Sequence, residues 1–294
     1  MDLRRFLSLL TLLVTITLGI VVYLVPPNGD FQADNPYWNG LKSEFETIEI
    51  TKTKSLMDIS PPYTDKVLMV IPYQEISTND LKILDDFIND GGILILADDF
   101  GHGNLLLSQL GLEVRFANTP LLDPVICHTN RWLPIIVRFA TDPVTADITE
   151  LVFNHPTSLI GVSEQDVIAW SSSMSFSDAN NNGKWDNGEE FGPYPVIARY
   201  HQGNGQLILI SDPSVFINSN QNLGDNSILL GNIAGLGENG FFIDQSLLPS
   251  NELVLAQVLL HNLRQWLVTP TGTILLIIAV IGAVMMLLWP IRKI

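Results

Sequence analysis

The chain has 294 residues, of which 47% are hydrophobic, and its formal net charge is −16 at pH 7. This length and hydrophobic content are sufficient for a sizeable core, which excludes a wholly disordered chain. The acidic balance argues against nucleic acid and anionic lipid headgroups as partners.

An uncharged apolar run lies near the start of the chain, from Phe6 to Val25. At 1.5 Å per residue its length matches the roughly 30 Å hydrocarbon core of a bilayer. The run predicts an N-terminal transmembrane anchor within residues 1–26. A cleaved signal peptide is the alternative, although its apolar stretch would be shorter. Residues 27–40 are rich in Pro, Gly and Asn, a composition typical of a linker rising from the membrane.

A second apolar run extends from Thr273 to Trp289. It predicts a C-terminal transmembrane helix within residues 269–294, followed by a short cytoplasmic tail. No charged residue occurs between Arg264 and Arg292.

Basic residues flank both runs: Arg4 and Arg5 precede the first, and Arg292 and Lys293 follow the second. The positive-inside rule then places both termini in the cytoplasm. Residues 27–270 would lie outside, and they hold 11 of the 15 Lys and Arg and 30 of the 31 Asp and Glu, a balance of −19. We therefore expect a cell-membrane protein whose main domain is extracytoplasmic and whose partners are membrane proteins.

The outer domain, residues 41–268, opens with the pattern of a strand, a helix and a strand. Lys66–Tyr73 is a short continuous apolar run typical of a buried strand, and Gly92–Asp99 is a second. Between them, Ser77 has the chemistry of a helix N-cap and Gly91 that of a helix end. A right-handed crossover would make the two strands parallel. The pattern predicts an α/β fold with a mostly parallel, Rossmann-like or flavodoxin-like sheet and flanking helices.

Further strands and one helix follow. Val167–Ser173 is predicted to be a strand, and Pro195–Tyr200 with Gln206–Asp212 to form a hairpin. The positive φ angles of its tight turn are assigned to Asn204-Gly205. An apolar helix is predicted for Asn251–Leu267, leading toward the second apolar run.

Polar residues at the predicted strand ends are candidates for a pocket, because ligands of open α/β sheets gather at the carboxyl ends of the strands. The alternative is structural: Gly101 and Gly103 shape a tight turn, and Asp99 caps the short helix that follows. The glycine pattern lacks the full dinucleotide-binding fingerprint. The pocket candidates are Asp98, Asp99, His102 and Asp212.

The segment DANNNGKWDNGE, residues 178–189, has the spacing of a twelve-residue calcium loop, with Gly183 at the sharp bend. Prolines follow it where an exiting helix would need amide donors, so no helix pair is expected. The pattern predicts a structural Ca²⁺ that pins the loop; the alternative is an Asn- and Gly-rich surface turn without metal. The predicted ligands are Asp178, Asn180, Asn182, the Lys184 carbonyl, Asp186 and Glu189.

Two function classes remain open. One is a non-catalytic extracytoplasmic domain that binds a partner protein, a glycan or a transport assembly. The other is a hydrolase that uses the four pocket candidates. The sequence favours the first class, because it contains no nucleophile elbow, no zinc-protease motif and no activated cysteine around Cys127.

Several blocks of the sequence resemble one known family: GGILILADDFGHGN, LLDPVICHTN, FNHPTSLI, SFSDANNNGKWDNGEEFGPYPV and LILISDPSVFIN. They are similar to the uncharacterised family called domain of unknown function 4350, over most of residues 41–240. The resemblance implies a membrane-anchored relative of the glutamine-amidotransferase-like fold with a non-enzymatic role. The ISDPSVFIN segment is similar to auxiliary membrane subunits of gliding-type transport systems, which implies a role in a membrane or transport assembly.

Overall fold

A computed structural model describes residues 3–43, 48–249 and 251–288. The chain divides into two compact units. One unit is the body, Asn28–Pro249; the other comprises Met1–Pro27 and Ser250–Ile294. The body thus includes residues 28–40, which the sequence predicts as a linker, and it ends before the helix predicted for Asn251–Leu267.

Six α-helices are described. They are α1 (Leu3–Leu24), α2 (Thr78–Asn89), α3 (Gly103–Gln109), α4 (Asn226–Ala234), α5 (Glu252–Leu267) and α6 (Pro270–Leu288). Short 3-10 turns lie at Leu56–Asp58, Pro143–Thr145, Glu164–Asp166 and Pro213–Phe216.

Fourteen strands are described, all in the body. They are β1 (Ile50–Thr53), β2 (Val67–Val70), β3 (Ile93–Ala97), β4 (Arg115–Phe116), β5 (Leu121–Leu122), β6 (Ile135–Ile136), β7 (Arg138–Phe139), β8 (Leu151–Val152), β9 (Leu159–Ile160), β10 (Val167–Trp170), β11 (Phe176–Ser177), β12 (Pro195–Gln202), β13 (Gly205–Ile210) and β14 (Phe241–Asp244).

Eight strands form the main sheet, in the order β1-β14-β2-β3-β13-β12-β10-β7. The first five run parallel to one another, and β12, β10 and β7 continue the sheet through antiparallel pairs. The predicted class is confirmed at the level of a mixed α/β fold with one large mixed sheet. The strand–helix–strand unit of β2, α2 and β3 is parallel, as predicted.

Both faces of the sheet are covered, because successive side chains of a strand point to opposite faces. On β3, Ile93 and Ile95 contribute to one apolar cluster, whereas Leu94 and Leu96 contribute to the other. All of these side chains are buried. This burial on both faces explains the continuous apolar runs of the sequence.

Helix α2 begins and ends where the sequence predicts. The Ser77 hydroxyl oxygen accepts a hydrogen bond of 3.2 Å from the Asp80 backbone N–H, which satisfies one of the unpaired donors of the first turn. After the helix, Gly91 has a φ of +94°, a conformation that side-chain-bearing residues rarely adopt.

The hairpin between β12 and β13 confirms the predicted pair but corrects its turn. Gln202 and Gly205 are partners across the ladder, so the turn residues are Gly203 and Asn204. The left-handed conformation lies at Gly203, with a φ of +57°, rather than at Asn204-Gly205. Glycine supplies a positive φ at lower cost than asparagine, so the position shifts by one residue.

Residues 28–40 are not a linker but part of the body. Phe31 and Ala33 are buried, and the Phe31 ring stacks on Tyr73 with centroids 5.4 Å apart. The buried Asn35 amide donates to the Gly29 carbonyl at 2.8 Å. The Pro, Gly and Asn content that resembled a linker arises because the segment forms tight turns. The polar groups of these turns are paired within the fold.

One described helix, over Phe6–Leu24, is long and apolar enough to cross a membrane, as an anchor or a signal sequence would be. The helices Glu252–Leu267 and Pro270–Gly282 meet that criterion only as a pair, which is bent by 94°. The expected second span therefore stands as a proposal. Its basic flank, Arg292 and Lys293, lies outside the described residues.

Candidate functional site

The parallel strands of the sheet end at one edge, and polar residues gather there. Asp98 and Asp99 directly follow β3, and Asp212 follows β13 by two residues. Tyr73 lies three residues beyond β2, and Asp244 is the last residue of β14. The four aspartates are buried.

Asp98 shapes the turn that leads into α3. Its two carboxylate oxygens accept hydrogen bonds of 2.7 Å from the backbone N–H groups of Gly101 and Gly103. A Cβ at Gly103 would lie 2.7 Å from the Asp98 Oδ2, and one at Gly101 would lie 2.5 Å from the Pro72 carbonyl oxygen. The two glycines are therefore required for the close approach of the backbone. Burial raises the pKa of Asp98 to about 7, against the lowering effect of these N–H donors.

Asp99 and Asp212 occupy the centre of this edge. The Tyr73 hydroxyl donates to Asp99 Oδ1 at 2.8 Å, and the Phe100 N–H donates to the same oxygen. Asp212 accepts from the Asn154 N–H through one oxygen and from the Ser214 N–H through the other. Burial raises the pKa of both carboxyl groups, and the charge of Asp99 adds to the effect on Asp212.

The four pocket candidates do not form one constellation. The His102 side chain is exposed, and it has no hydrogen bond to a carboxylate among the described residues. Asp98 faces its own turn. The charges of Asp98, Asp99 and Asp212 all raise the pKa of Tyr73, and the charge of Asp99 also raises the pKa of Asp98 and of Asp212. Three of the four candidates therefore share an electrostatic environment, and His102 stands apart from them.

A cavity of about 250 Å³ opens between this edge of the sheet and the loop of residues 178–189. The rings of Phe100 and His155 line it, with centroids 5.4 Å apart and planes at 65°. Asn118 and Asn181, both exposed, also line it. Among the described residues, neither of these two side-chain amides has a hydrogen-bond partner.

Backbone conformation singles out the same cavity. Among the described residues, six other than glycine have a positive φ, and three of the six line the cavity. The three are Asn118, His155 and Asn181, with φ angles of 55°, 61° and 57°. Such conformations cost free energy, and they concentrate at ligand-binding sites.

The predicted calcium loop is closed by hydrogen bonds between its own residues. The buried Asp178 carboxylate accepts from the N–H groups of Asn182 and Gly183, at 3.1 and 2.7 Å. The two oxygens of Glu189 accept from the Ala179 and Asp186 N–H groups, both at 3.0 Å. No helix flanks the loop, as predicted: it follows β11, and the next element is β12.

Two of the remaining predicted ligands, Asn180 and Asn182, bond to a third, Asp186. Its Oδ2 accepts from the amides of Asn180 and Asn182, at 2.7 and 2.6 Å, and these bonds lower the pKa of Asp186. Asn182 Oδ1 accepts from the Lys184 N–H. Within the described part of the chain, no group of three or more His, Cys, Asp and Glu side chains is arranged to hold a metal ion. Calcium binding would therefore require the Asn180 and Asn182 amides to turn their oxygens inward.

Sequence reasoning missed five residues of this region: Tyr73, Phe100, Asn118, His155 and Asn181. Tyr73 had a usable signal, because it is the last residue of the first apolar run and so lies at the predicted carboxyl end of a strand. Asn181 lies inside the calcium motif, but at a position that supplies no ligand. No local pattern marks Asn118 or His155.

Solved structures resemble this chain only distantly. A structure titled mmIFT52 N-terminal domain has 15% identity and a TM-score of 0.43, covering 55% of this chain and 73% of that chain. A β-galactosidase from Bacillus circulans sp. alkalophilus has 15% identity and a TM-score of 0.36, covering 58% of this chain and 22% of its own. A putative ThuA-like protein from Bacteroides uniformis has 10% identity and a TM-score of 0.29. The match covers 62% of this chain and 96% of that protein. The chain thus spans about a fifth of the galactosidase. At these TM-scores, none of the likenesses bears on what the chain binds.

Comparison with curated protein sequences found no match. A family match, in contrast, covers most of the body. Residues 33–234 match the family described as Domain of unknown function (DUF4350), and this chain belongs to that family.

Proposed function

We propose that this protein is a non-catalytic, membrane-anchored domain that binds a ligand in the cavity between Phe100, His155 and the loop of residues 178–189. One observation carries the proposal. Asn118 and Asn181 both hold left-handed backbone conformations, both line one cavity, and neither side-chain amide has a hydrogen-bond partner among the described residues. Ligand binding is a function that makes use of such conformations.

The hydrolase alternative relies on Asp98, Asp99, His102 and Asp212. Catalysis would need these groups in mutual geometry, and the exposed His102 side chain forms no hydrogen bond to a carboxylate among the described residues. Both oxygens of Asp98 and both oxygens of Asp212 accept backbone N–H groups. These bonds favour a structural role, in which the carboxylates fix the loops that surround the cavity.

Membrane attachment rests on α1, with α6 as the second span. In this topology both termini are cytoplasmic, and the acidic body lies on the extracytoplasmic face of the cell membrane. The basic residues Arg4, Arg5, Arg292 and Lys293 support that orientation. A body held at the membrane in this way suits an auxiliary subunit of a membrane or transport assembly, with membrane proteins as partners. The amidotransferase-like fold implied by the family resemblance belongs to the same proposal.

The proposal also includes a structural Ca²⁺ site in the loop of residues 178–189. Asp178, Asp186 and Glu189 lie within one short closed loop and repel one another when no cation is present. Six oxygen ligands in this spacing match the calcium template. Because Asp178 and Asn181 also line the cavity, an ordered loop would fix one wall of the binding site.

The test uses the full chain in lipid nanodiscs and a panel of soluble compounds: neutral glycosides, sugar acids, amino sugars and dipeptides. Melting is followed by intrinsic fluorescence, and each compound is assayed by NMR for chemical conversion. We expect at least one class to raise the melting temperature of the wild type without being converted. That shift should be lost in the double variant Asn118→Gly/Asn181→Gly, since glycine keeps the positive φ and removes the amide.

The matched control is Asp147→Gly, which also replaces an exposed residue of positive φ, 59°, but lies outside the cavity. It should retain the shift. Conversion of a bound compound would make the protein an enzyme and contradict the proposal. A shift that survives in the double variant would place binding elsewhere.

A further inference from the structure

The cavity has the chemistry to select one class of ligand. Resting on the proposed binding function, we infer that it holds a neutral, hydroxyl-rich ring, that is, a single sugar residue, either free or at the end of a glycan. The inference draws on the cavity's amides, its aromatic rings, its charge and its size.

The amides determine the polar complementarity. Each asparagine presents a carbonyl acceptor and two N–H donors, and a hydroxyl group is both a donor and an acceptor. Asn118 lies between β4 and β5, and Asn181 lies in the loop that follows β11, so the two asparagines line the cavity from separate segments. Two such groups can bond hydroxyls on different sides of one ring. Neither amide has to give up a protein partner among the described residues to do so.

The aromatic rings supply an apolar wall. Phe100 is 39% exposed although it belongs to the rim of a buried sheet edge. It meets His155 edge to face, and His155 is itself stacked on Trp132 with centroids 4.5 Å apart. Rings held in this way present C–H edges and π faces against which the C–H groups of a sugar ring can pack. A held ring also loses little side-chain entropy when a ligand binds.

Charge and size exclude the other classes. No Lys or Arg is among the described residues that line the cavity, so an anionic ligand would lack a permanent counter-charge. Asp178 is the acidic residue of the wall, but it is buried and both of its oxygens accept backbone N–H groups, so it offers little to an ammonium group. The volume of about 250 Å³ is below the roughly 300–1,000 Å³ of pockets for drug-sized ligands, which favours one ring over an extended chain.

The inference is tested by calorimetric titration of the full chain in nanodiscs. The probes are the methyl glycosides of glucose, galactose, mannose and N-acetylglucosamine, with glucuronate and glucosamine as charged analogues. At least one methyl glycoside should bind saturably, with a Kd about tenfold lower than those of the charged analogues. The Kd should rise at least about tenfold in Asn118→Gly/Asn181→Gly and in Phe100→Ala, and should stay within about twofold in Asp147→Gly.

Three results would overturn the inference: no titration by any neutral glycoside with a folded chain, equal or tighter binding of a charged analogue, or unchanged binding in the cavity variants. The compound panel described above distinguishes a failure of the sugar assignment from a failure of the binding function. If dipeptides or another class bind in a way that depends on Asn118 and Asn181, only the sugar assignment fails. If no class binds, the binding function fails with it.

Discussion

The imidazole ring of His155 stacks on the indole ring of Trp132, with centroids 4.5 Å apart and planes within 3°. Trp132 also approaches the loop of residues 178–189, since a Cβ at Gly183 would lie 3.4 Å from the Cζ2 atom of Trp132. The Arg131 guanidinium donates to the Gly183 carbonyl at 2.6 Å. One aromatic ring therefore supports both the cavity wall and the loop.

Replacing this ring should loosen both. We expect Trp132→Ala to lower the free energy of unfolding of the body by about 1–3 kcal/mol, less than for a fully buried tryptophan because Trp132 is half-buried. Proteolysis within residues 178–189 should become faster. The control is Trp38→Ala, at a side chain that is 68% exposed, which should change stability by less than about 0.5 kcal/mol. Equal effects of the two variants in urea titrations would remove Trp132 from this supporting role.

Calcium should stabilise the full chain. At a concentration a few times the dissociation constant, binding to the folded state alone contributes roughly 1 kcal/mol, which corresponds to a melting temperature a few degrees higher in millimolar calcium than in chelator. Magnesium should do less, because it requires tighter octahedral geometry and retains its water.

The variants Glu189→Gln and Asp186→Asn keep the size of each side chain and remove its charge. The difference between calcium and chelator should disappear in both, whatever their own stability. Asp147→Asn, outside the loop, should keep it. A calcium response that persists in both loop variants would mean that the metal binds elsewhere, and an absent response in the wild type would mean that the loop is a plain turn.

The buried carboxyl groups predict how stability changes with pH. The pKa of Asp98 is about 7 in the folded state against 3.8 for the free side chain, and the pKa values of Asp99, Asp212 and Asp244 are also raised by burial. The folded state therefore binds more protons than the unfolded state between about pH 4 and 7, so the free energy of unfolding falls as pH rises through that window. The body should melt at a higher temperature at pH 5 than at pH 8 in chelator. The opposite order would contradict the buried, proton-binding state of these groups.

The two-span topology makes a prediction about access. If both termini are cytoplasmic, a protease added to intact cells should cut within residues 27–270 and leave tags at both ends intact. The matched sample is the same cells after permeabilisation, in which both tags should be digested. Digestion of the C-terminal tag in intact cells would leave α1 as the single span.

The sequence alone was sufficient to predict the elements that depend on neighbouring residues along the chain. The parallel unit of β2, α2 and β3 followed from two short apolar runs and a capping serine, Ser77, because burial on both sheet faces leaves a continuous apolar pattern. The segment from residue 28 to 40 was mistaken for a linker, since the long-range pairing of Phe31 with Tyr73 leaves no trace in composition.

The cavity, too, depends on contacts between segments that are distant along the chain. Phe100 adjoins the predicted pocket aspartates, and Asn181 lies in the predicted loop, yet neither pattern shows that the two share a wall. Asn118 and His155 come from short segments whose pairing depends on the register of β4 with β9 and of β5 with β11. Such contacts, distant along the chain, are set by the whole fold, and one sequence carries no periodic signal for them.

The most direct test of the central claim observes the two asparagines themselves. The full chain, labelled with ¹⁵N-asparagine and held in nanodiscs, is titrated with each class of the compound panel, and the side-chain amide signals of Asn118 and Asn181 are assigned by their loss in the glycine variants. We predict that both signals shift together along one saturation curve with at least one class. The Asn104 amide, which already pairs with the Phe116 N–H and carbonyl at 2.9 and 3.0 Å, should not shift. If both signals stay fixed up to the highest soluble concentration of every class, the cavity is not a binding site.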